Sequence, residues 1–103
     1  MTPSIPVNEQ KAVTPWFLYL VKTSNNSLYC GITTDVDRRF NEHCAQNYKS
    51  AKALRGKSPL SLVFQTQLEN KSTALKAEIW VKKLRPKQKW ALVNRQLLMP
   101  TAF

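Results

Sequence analysis

The sequence has few of the features that mark membrane, secreted or zinc-binding proteins. In its 103 residues there is no apolar run long enough to cross a bilayer. The first fourteen residues lack the basic start and apolar stretch of a signal peptide. Two cysteines and one histidine are fewer than the four ligands of a structural zinc site. We therefore expect a cytoplasmic protein with no membrane partner, with Cys30 and Cys44 as free thiols.

Acidic residues are also scarce. Six Asp and Glu face sixteen Lys and Arg, which gives a net charge of +10 at pH 7 and a pI near 10.0. This excess predicts a polyanionic partner. Nucleic acid is the main candidate, which would place the protein at the nucleoid if it binds DNA; acidic lipids and ribosomal surfaces are alternatives. The hydrophobic share of 43% predicts a folded globular chain of one domain.

Turn residues divide the sequence into short apolar segments. The predicted elements are strands over 16–22, 28–33 and 60–68, and helices over 35–46, 50–54, 73–84 and 87–98. Their order, ββα(α)βαα, predicts a small sheet flanked by helices in the α/β or α+β class. We expect a loose tail over 1–14, a domain over 15–98 and a C-terminal tail over 99–103.

Helix starts and the burial of one strand follow from the same pattern. Thr34 and Asp37 resemble a capping box, and Ser72 is the expected cap of the helix over 73–84. Pro86 either stops that helix or begins the next one. The strand over 16–22 is apolar on both faces, which predicts that it is covered on both sides.

Helix 35–46 carries two polar residues one turn apart, Arg39 and His43. Arg39 could bind phosphate or stabilise charge on a phosphoryl group. His43 could position or deprotonate water near neutral pH. The alternatives are a surface arginine and a hydrogen-bonded histidine at the edge of the core. Both residues flank the expected buried side of the helix, formed by Val36, Phe40 and Cys44.

Two tyrosines lie on the two strands of the predicted hairpin, Tyr19 and Tyr29. A strand tyrosine is commonly a core residue with its hydroxyl hydrogen bonded, and a phenol is a weak base at pH 7 unless a cation lowers its pKa. If both side chains leave the sheet on one face, paired residue numbers must sum to an even value. That register requires a turn of odd length or a bulge.

Glu78 is the only acid between Lys71 and Arg95, a segment rich in basic residues. It lies on the apolar stripe of its helix, where an unpaired carboxylate is costly to desolvate. Two explanations are open. In the first, Glu78 is paired with Lys82 or with an arginine; in the second, it binds a hard cation such as Mg²⁺, which needs only one or two carboxylates.

These residues, in this order and spacing, resemble the GIY-YIG nuclease superfamily. The motif positions are Phe17-Leu18-Tyr19, Tyr29-Cys30-Gly31, Arg39, His43 and Glu78. The segments PWFLYLVKT, SLYCGITTDVDRRFNEH, AKALRGK and ALKAEIWVKKL carry the resemblance over about residues 15–93. They are most similar to the small stand-alone bacterial members related to the Slx-type nuclease domain. Phe17-Leu18 replaces the Gly-Ile of the first motif, and Cys30 replaces the Ile of the second.

The resemblance implies a three-stranded antiparallel sheet flanked by helices and a metal-dependent hydrolysis of phosphodiester bonds. It implies catalytic roles for Tyr19, Tyr29, Arg39, His43 and Glu78, with Glu78 as the ligand of one Mg²⁺ or Mn²⁺. The expected substrate is nucleic acid, DNA rather than RNA, in repair or recombination. Members of the family often have an asparagine after the metal-site helix; Asn94 falls inside the last predicted helix, and its role is left open.

Two basic clusters are the predicted contacts to flanking phosphates. Such contacts hold the register of the nucleic acid and carry no sequence information. A non-catalytic nucleic-acid-binding module is the main alternative to a nuclease, and an adaptor on a larger complex is a third. The first cluster consists of Lys49, Lys52, Arg55 and Lys57, and the second of Lys82, Lys83, Arg85, Lys87 and Lys89.

Overall fold

The computed structural model describes residues 14–103; the predicted tail over 1–14 lies outside them except for its last residue. The strands are β1 (Trp16–Lys22), β2 (Leu28–Thr33) and β3 (Ser61–Leu68), and the α-helices of this part of the chain are α1 (Val36–Cys44), α2 (Lys71–Lys82) and α3 (Pro86–Val93). The predicted class, a three-stranded antiparallel sheet flanked by helices, is confirmed. Across the described range, no helix combines the length and hydropathy needed to span a bilayer.

β1 is the central strand of the sheet, which has the order β2-β1-β3 with both pairings antiparallel. Tyr19 pairs with Gly31, and Val21 pairs with Tyr29. Paired numbers therefore sum to an even value, as required for the two tyrosines to share a face. The connecting turn, residues 23–27, has the odd length that this register needs.

Alternate residues of β1 enter two separate cores, because successive side chains of a strand point to opposite faces. Leu18 and Leu20 lie on one face, which we call the α2 face because α2 packs on it. Tyr19 and Val21 lie on the other, which we call the tyrosine face. All four are at most 1% exposed, so the prediction that this strand is covered on both sides is confirmed. Other buried members are Cys30, Phe64, Ala77, Val81 and Leu92 on the α2 face, and Val36 and Leu54 on the tyrosine face.

Both predicted N-caps are wrong by one or two residues. α1 is capped by Asp35 rather than Thr34, and the Asp35 carboxylate accepts the backbone N–H three residues on, at 3.0 Å. α2 is capped by Asn70, whose side chain accepts the N–H three residues on, at 2.9 Å. Ser72 therefore lies inside the first turn. Neighbouring Asn, Asp, Ser and Thr are all acceptable caps, so their order alone does not select one.

The buried side of α1 differs from the prediction. Val36 and His43 are buried, whereas Cys44 is exposed. The helix ends at Cys44 instead of residue 46, and Gln46 has a φ of 56°, the left-handed conformation that is common just after a helix. The imidazole of His43 thus faces the sheet, and the thiol of Cys44 faces solvent.

The C-terminal helices differ from their predicted limits in two ways. α2 spans Lys71–Lys82 instead of 73–84, so it has the predicted length but begins and ends two residues earlier, whereas α3 ends at Val93 instead of residue 98 and is shorter than predicted. Pro86 begins α3, one of its two predicted roles. Asn94 is the C-cap of α3, and Arg95 has a φ of 64°, so Asn94 lies at the end of the helix rather than inside it.

The predicted short helix over 50–54 is a single 3-10 turn, Lys52–Leu54. Ala51 before it is extended, and Gly56 after it has a φ of 73°, so only three residues are helical. Leu54 is fully buried against the tyrosine face. This side chain is the fully buried apolar anchor of the basic segment that follows α1.

Leu54→Ala should therefore destabilise the protein by about 2–5 kcal/mol, the usual cost of truncating a buried leucine. Leu98→Ala is the matched control, because Leu98 is 78% exposed and such surface changes stay within about 0.5 kcal/mol. Urea unfolding followed by tryptophan fluorescence measures both free energies of unfolding. Equal losses in the two variants would contradict the anchoring role of Leu54.

Candidate active site

The position of Tyr19 depends on the glycine paired with it. A Cβ atom at Gly31 would lie 2.5 Å from the hydroxyl oxygen of Tyr19 and 2.6 Å from its Cζ. These distances are far below van der Waals contact, so the ring lies directly over the glycine. Any side chain at residue 31 would displace a tyrosine that is itself 1% exposed. The glycine of the second motif therefore provides the space for the tyrosine of the first.

His43 holds the hydroxyl of Tyr19 from the other side. The imidazole is fully buried, and its Nε2 lies 2.8 Å from the Tyr19 hydroxyl oxygen. Its Nδ1 accepts the backbone N–H of Ala51 at 3.3 Å. Because Nδ1 is an acceptor, the neutral imidazole carries its proton on Nε2 and donates it to Tyr19. The hydroxyl proton of Tyr19 must then point away from His43.

The same burial shifts both groups away from ionisation. Desolvation, helped by the positive charge of Arg39, lowers the pKa of His43 to about 4. Desolvation raises the pKa of Tyr19 above its usual 10, and nearby Tyr29 adds to the rise, while Arg39 opposes it. At neutral pH His43 is uncharged and Tyr19 is protonated. Both nitrogens of His43 are engaged, so its contact is with Tyr19 rather than with water.

Tyr29 completes a cluster of three rings on the tyrosine face. Its ring centroid lies 6.4 Å from that of Tyr19 and 5.5 Å from that of His43, with an edge-on approach to the imidazole. Tyr29 is only partly buried, in contrast to Tyr19. Of the two motif tyrosines, Tyr29 is therefore the one that solvent or a ligand can reach.

Arg39 lies one turn before His43 on α1 and borders the same cluster. Its Nη1 lies 2.9 Å from Oε1 of Glu42 and donates to the backbone carbonyl of Lys49 at 2.7 Å. Glu42 also pairs with Arg38 at 2.8 Å. Arg39 is 28% exposed and Arg38 53%. The Glu42 carboxylate and the Lys49 carbonyl thus hold the Arg39 guanidinium in place beside the two tyrosines.

The polar residues that tie the loop after α1 to this cluster were not predicted from the sequence. The buried Ser50 hydroxyl donates to the carbonyl of His43 at 3.0 Å. The Gln46 amide donates to the carbonyl of Leu54 at 3.0 Å and accepts the N–H of Gly56 at 2.7 Å. Their only signal in the sequence is a run of polar residues after a helix, which is equally typical of a solvated loop.

Glu78 lies on the other side of the sheet. It projects from α2 with its side chain 19% exposed and pairs with Lys82 at 3.2 Å. Burial raises the pKa of the Cys30 thiol to about 12, and the negative charge of Glu78 contributes to this rise. Cys30 belongs to β2, an edge strand. The salt bridge considered from the sequence is therefore present, and Glu78 lies close to the α2 face of β2.

The structure thus brings four of the five predicted catalytic residues together on the tyrosine face, with Glu78 near the opposite face of the same edge strand. Among residues 14–103 there is no group of three or more His, Cys, Asp or Glu that could hold a metal ion. A lone, half-buried carboxylate fits Mg²⁺ or Mn²⁺ bound largely by water and substrate phosphate. It does not fit a preformed cage of protein ligands.

The two basic clusters lie beside different parts of this arrangement. The first follows α1 and is joined to Arg39 through the carbonyl of Lys49, and Arg55 donates to the carbonyl of Tyr48 at 3.1 Å. The second spans the end of α2 and the start of α3, adjoining Glu78. Lys49, Lys52, Arg55, Lys82, Lys83, Arg85 and Lys87 are exposed, and Lys57 and Lys89 are partly buried.

Comparison with known proteins gives the class to which this fold and site belong. Residues 15–90 match the family model of the GIY-YIG catalytic domain. The chain therefore belongs to the GIY-YIG family. Membership implies nuclease-type activity with nucleic acid as the substrate, and nucleases of this family generally use a divalent metal.

The individual relatives with the most informative similarity are small bacterial proteins. The chain is 56% identical to the UPF0213 protein YhbQ of Escherichia coli K12 over 81 residues, and these residues are 79% of each of the two chains. It is 54% identical over 81 residues to YhbQ of E. coli O1:K1. The solution NMR structure of the UPF0213 protein BH0048 from Bacillus halodurans is similar with a TM-score of 0.52 and 35% identity, over 80% of this chain and 85% of that one.

The buried imidazole predicts a dependence of stability on pH. His43 is the single histidine of the chain. Its pKa falls from 6.5 to about 4 on folding, so between these values the unfolded chain binds a proton that the folded chain does not. The free energy of unfolding is thus not reduced by His43 above about pH 6.5. It decreases as the pH falls, by about 2 kcal/mol between pH 7 and pH 5.

Urea unfolding at pH 5 and pH 7 measures this loss, and NMR titration of the imidazole measures the pKa directly. His43→Gln should be less stable at pH 7 and should lack most of the slope between pH 5 and pH 7. An imidazole that titrates near 6.5 in the folded protein would contradict the buried, neutral state.

Proposed function

We propose that the protein is a metal-dependent endonuclease that hydrolyses phosphodiester bonds, with DNA in repair or recombination as its substrate. The observation that supports this most is the convergence of Tyr19, Tyr29, Arg39 and His43 on one face of the sheet, with Glu78 beside the same edge strand. The choice of DNA over RNA rests on the resemblance to Slx-type nuclease domains.

The edge position of β2 explains how residues on two faces could act on one phosphate. An edge strand can be approached from its outer side, so a phosphate lying there is within reach of groups from both faces. Arg39 and Tyr29 would approach it from the tyrosine face, and Glu78 from the α2 face. The charge of Arg39 would stabilise the negative charge that grows on the phosphorus oxygens.

The different exposure of the tyrosines suggests different roles. Tyr19 is 1% exposed and receives a hydrogen bond from His43, so we assign it and His43 to positioning the cluster. Tyr29, the accessible ring, would align the attacking water. This assigns the water to Tyr29 rather than to His43, for which the sequence had suggested that role. A divalent cation held by Glu78 would supply Lewis acidity and a lowered pKa for the nearby water.

A non-catalytic nucleic-acid-binding module remains the second candidate. The specific observation in its favour is the 3.2 Å pair between Glu78 and Lys82, which satisfies the carboxylate without a metal. The net charge of +10 serves both functions equally, and both predict weaker binding as salt rises. Dependence on metal and on Glu78 distinguishes the two functions.

Glu78→Gln should strongly reduce the rate of cleavage while leaving affinity for the nucleic acid unchanged. The amide keeps the size of the side chain and removes the charge that would hold the cation, so we expect a loss of at least about 10²-fold in turnover. Cleavage of branched, flapped and single-stranded DNA with Mg²⁺ or Mn²⁺ measures the rate, and fluorescence anisotropy in EDTA measures the affinity.

Glu69→Gln is the matched control, because Glu69 is exposed in the turn before α2 and its loss changes the net charge equally. It should cleave at the wild-type rate. Unchanged cleavage in Glu78→Gln, or no cleavage of any substrate by the wild-type protein, would leave the binding module as the better account.

Arg39→Lys tests the proposed contact between the Arg39 guanidinium and the phosphate. Lysine keeps the charge but loses the planar fork that contacts phosphate in two places, so turnover should fall by about 10²-fold. Arg38→Lys is the neighbouring control, since Arg38 pairs with the same Glu42 but is 53% exposed. The rates of the two variants are compared on the best substrate. Equal effects would mean that Arg39 acts only as a general surface charge.

A further inference from the structure

A cavity of about 320 Å³ lies at the hairpin end of the sheet, between the β1–β2 turn and the start of α3. None of the five predicted catalytic residues lines it, and the proposed reaction does not use it. Its volume is at the lower end of the range of small-molecule sites, which is enough for one nucleotide base and too small for a duplex. It is lined by Asn26, Ser27, Leu28, Pro86, Lys89 and Trp90.

The walls of this cavity combine three kinds of group. Trp90, with Leu28 and Pro86, provides an apolar surface that includes an indole ring. Lys89 adds a positive charge from the same helix. Asn26 and Ser27 add hydrogen-bonding groups from the turn. Proteins that bind single-stranded nucleic acid combine aromatic rings for base stacking with cations for the backbone in the same way.

Local hydrogen bonds define both rims. In the turn, Thr23 donates its backbone N–H to the carbonyl of Ser27 at 2.9 Å, and the Asn25 side chain accepts the N–H of Ser27 at 3.3 Å. On the helix side, Pro86 is the first residue of α3, and the Gln88 side chain accepts the N–H of Arg85 at 3.0 Å. The cavity is therefore built by structured segments on both sides.

The cavity lies on the same side of β2 as Glu78. Leu28 precedes Cys30 by two residues, so both side chains leave the same face of β2, about 7 Å apart along the strand. Cys30 is also close to the charges of Glu78, Lys82 and Lys89, which all act on the pKa of its thiol. A strand whose phosphate lies near Glu78 would pass the mouth of the cavity with an adjacent nucleotide.

We propose that this cavity binds the base of an unpaired nucleotide that flanks the cleaved phosphate. Trp90 stacks on the base, Lys89 contacts the neighbouring phosphate, and Asn26 and Ser27 contact the edge of the base or the sugar. The proposal rests on the proposed function for its biological meaning, because it makes single-stranded segments, flaps and branch points the preferred substrates. The binding itself requires neither metal nor cleavage.

The test measures binding alone, in EDTA, with eight-residue oligothymidylate and oligouridylate. Each is compared with a series of oligonucleotides of equal length. Every member of the series carries one abasic residue, at a different position along the strand. One stacked base contributes about 1–3 kcal/mol, so the abasic residue at the bound position should weaken binding about fivefold or more. Quenching of tryptophan fluorescence follows the titration. The chain has three tryptophans, so Trp90→Leu identifies the one that responds.

Trp90→Leu and Lys89→Ala should both weaken binding of the intact oligonucleotide. Trp90→Leu should also remove the difference in affinity between intact and abasic strands. Lys71→Ala is the control: Lys71 lies 5.4 Å from the ring of Trp16, a second lysine–tryptophan pair at the opposite end of β1. It loses the same charge and should retain the abasic penalty. Circular dichroism checks that each variant folds. If Trp90→Leu does not fold, Lys89→Ala is the variant that tests whether the cavity contributes to binding.

Equal affinity of the wild-type protein for intact and abasic strands at every position would overturn the proposal, as would a full abasic penalty in folded Trp90→Leu. Either result leaves the nuclease assignment intact, because cleavage is not measured. Conversely, base binding without cleavage of any substrate would contradict the proposed function and support the cavity. A difference between the two oligonucleotides shows whether the site prefers DNA or RNA.

Discussion

β1 is buried on both faces, and this constraint determines where every functional side chain can lie. Its buried even-numbered residues, Leu18 and Leu20, are covered by α2 and α3, and its buried odd-numbered residues, Tyr19 and Val21, are covered by α1 and the 3-10 turn. Both layers thus cover the centre of this strand. The chemistry that we propose therefore uses β2, the edge strand that pairs with β1 and carries Tyr29.

One hydrogen bond connects this buried strand with the outer part of the site. Tyr19 is bound by His43 at 2.8 Å, and His43 in turn accepts the N–H of Ala51. The chain of contacts runs from the central strand through α1 into the basic loop. Because the Lys49 carbonyl also accepts a hydrogen bond from Arg39, the loop that would contact phosphate is joined directly to the arginine that would stabilise its charge.

The sequence was sufficient where local physics decides the outcome. Strand limits follow from turn residues. Parity gave only the condition for Tyr19 and Tyr29 to share a face, and the observed register, in which Tyr19 pairs with Gly31, meets it. It was insufficient where neighbouring residues compete. One step along a helix rotates a side chain by about 100°, so the pattern favoured Cys44 for a place that His43 occupies. Spacing also says nothing about which face of a sheet a helix covers, so the sequence could not show that Glu78 lies near Cys30, on the opposite face from the tyrosines.

The central claim is that Glu78 and Arg39 act on one phosphate from the two faces of β2. The most direct test is a crystal structure with Mn²⁺ and a flapped oligonucleotide made uncleavable by modified phosphates, with the metal located by anomalous scattering. The account predicts one Mn²⁺ on the Glu78 carboxylate, displacing Lys82, and bound to a phosphate that also contacts Arg39. A phosphate bound beside Arg39 while Glu78 stays paired with Lys82 and holds no metal would contradict it.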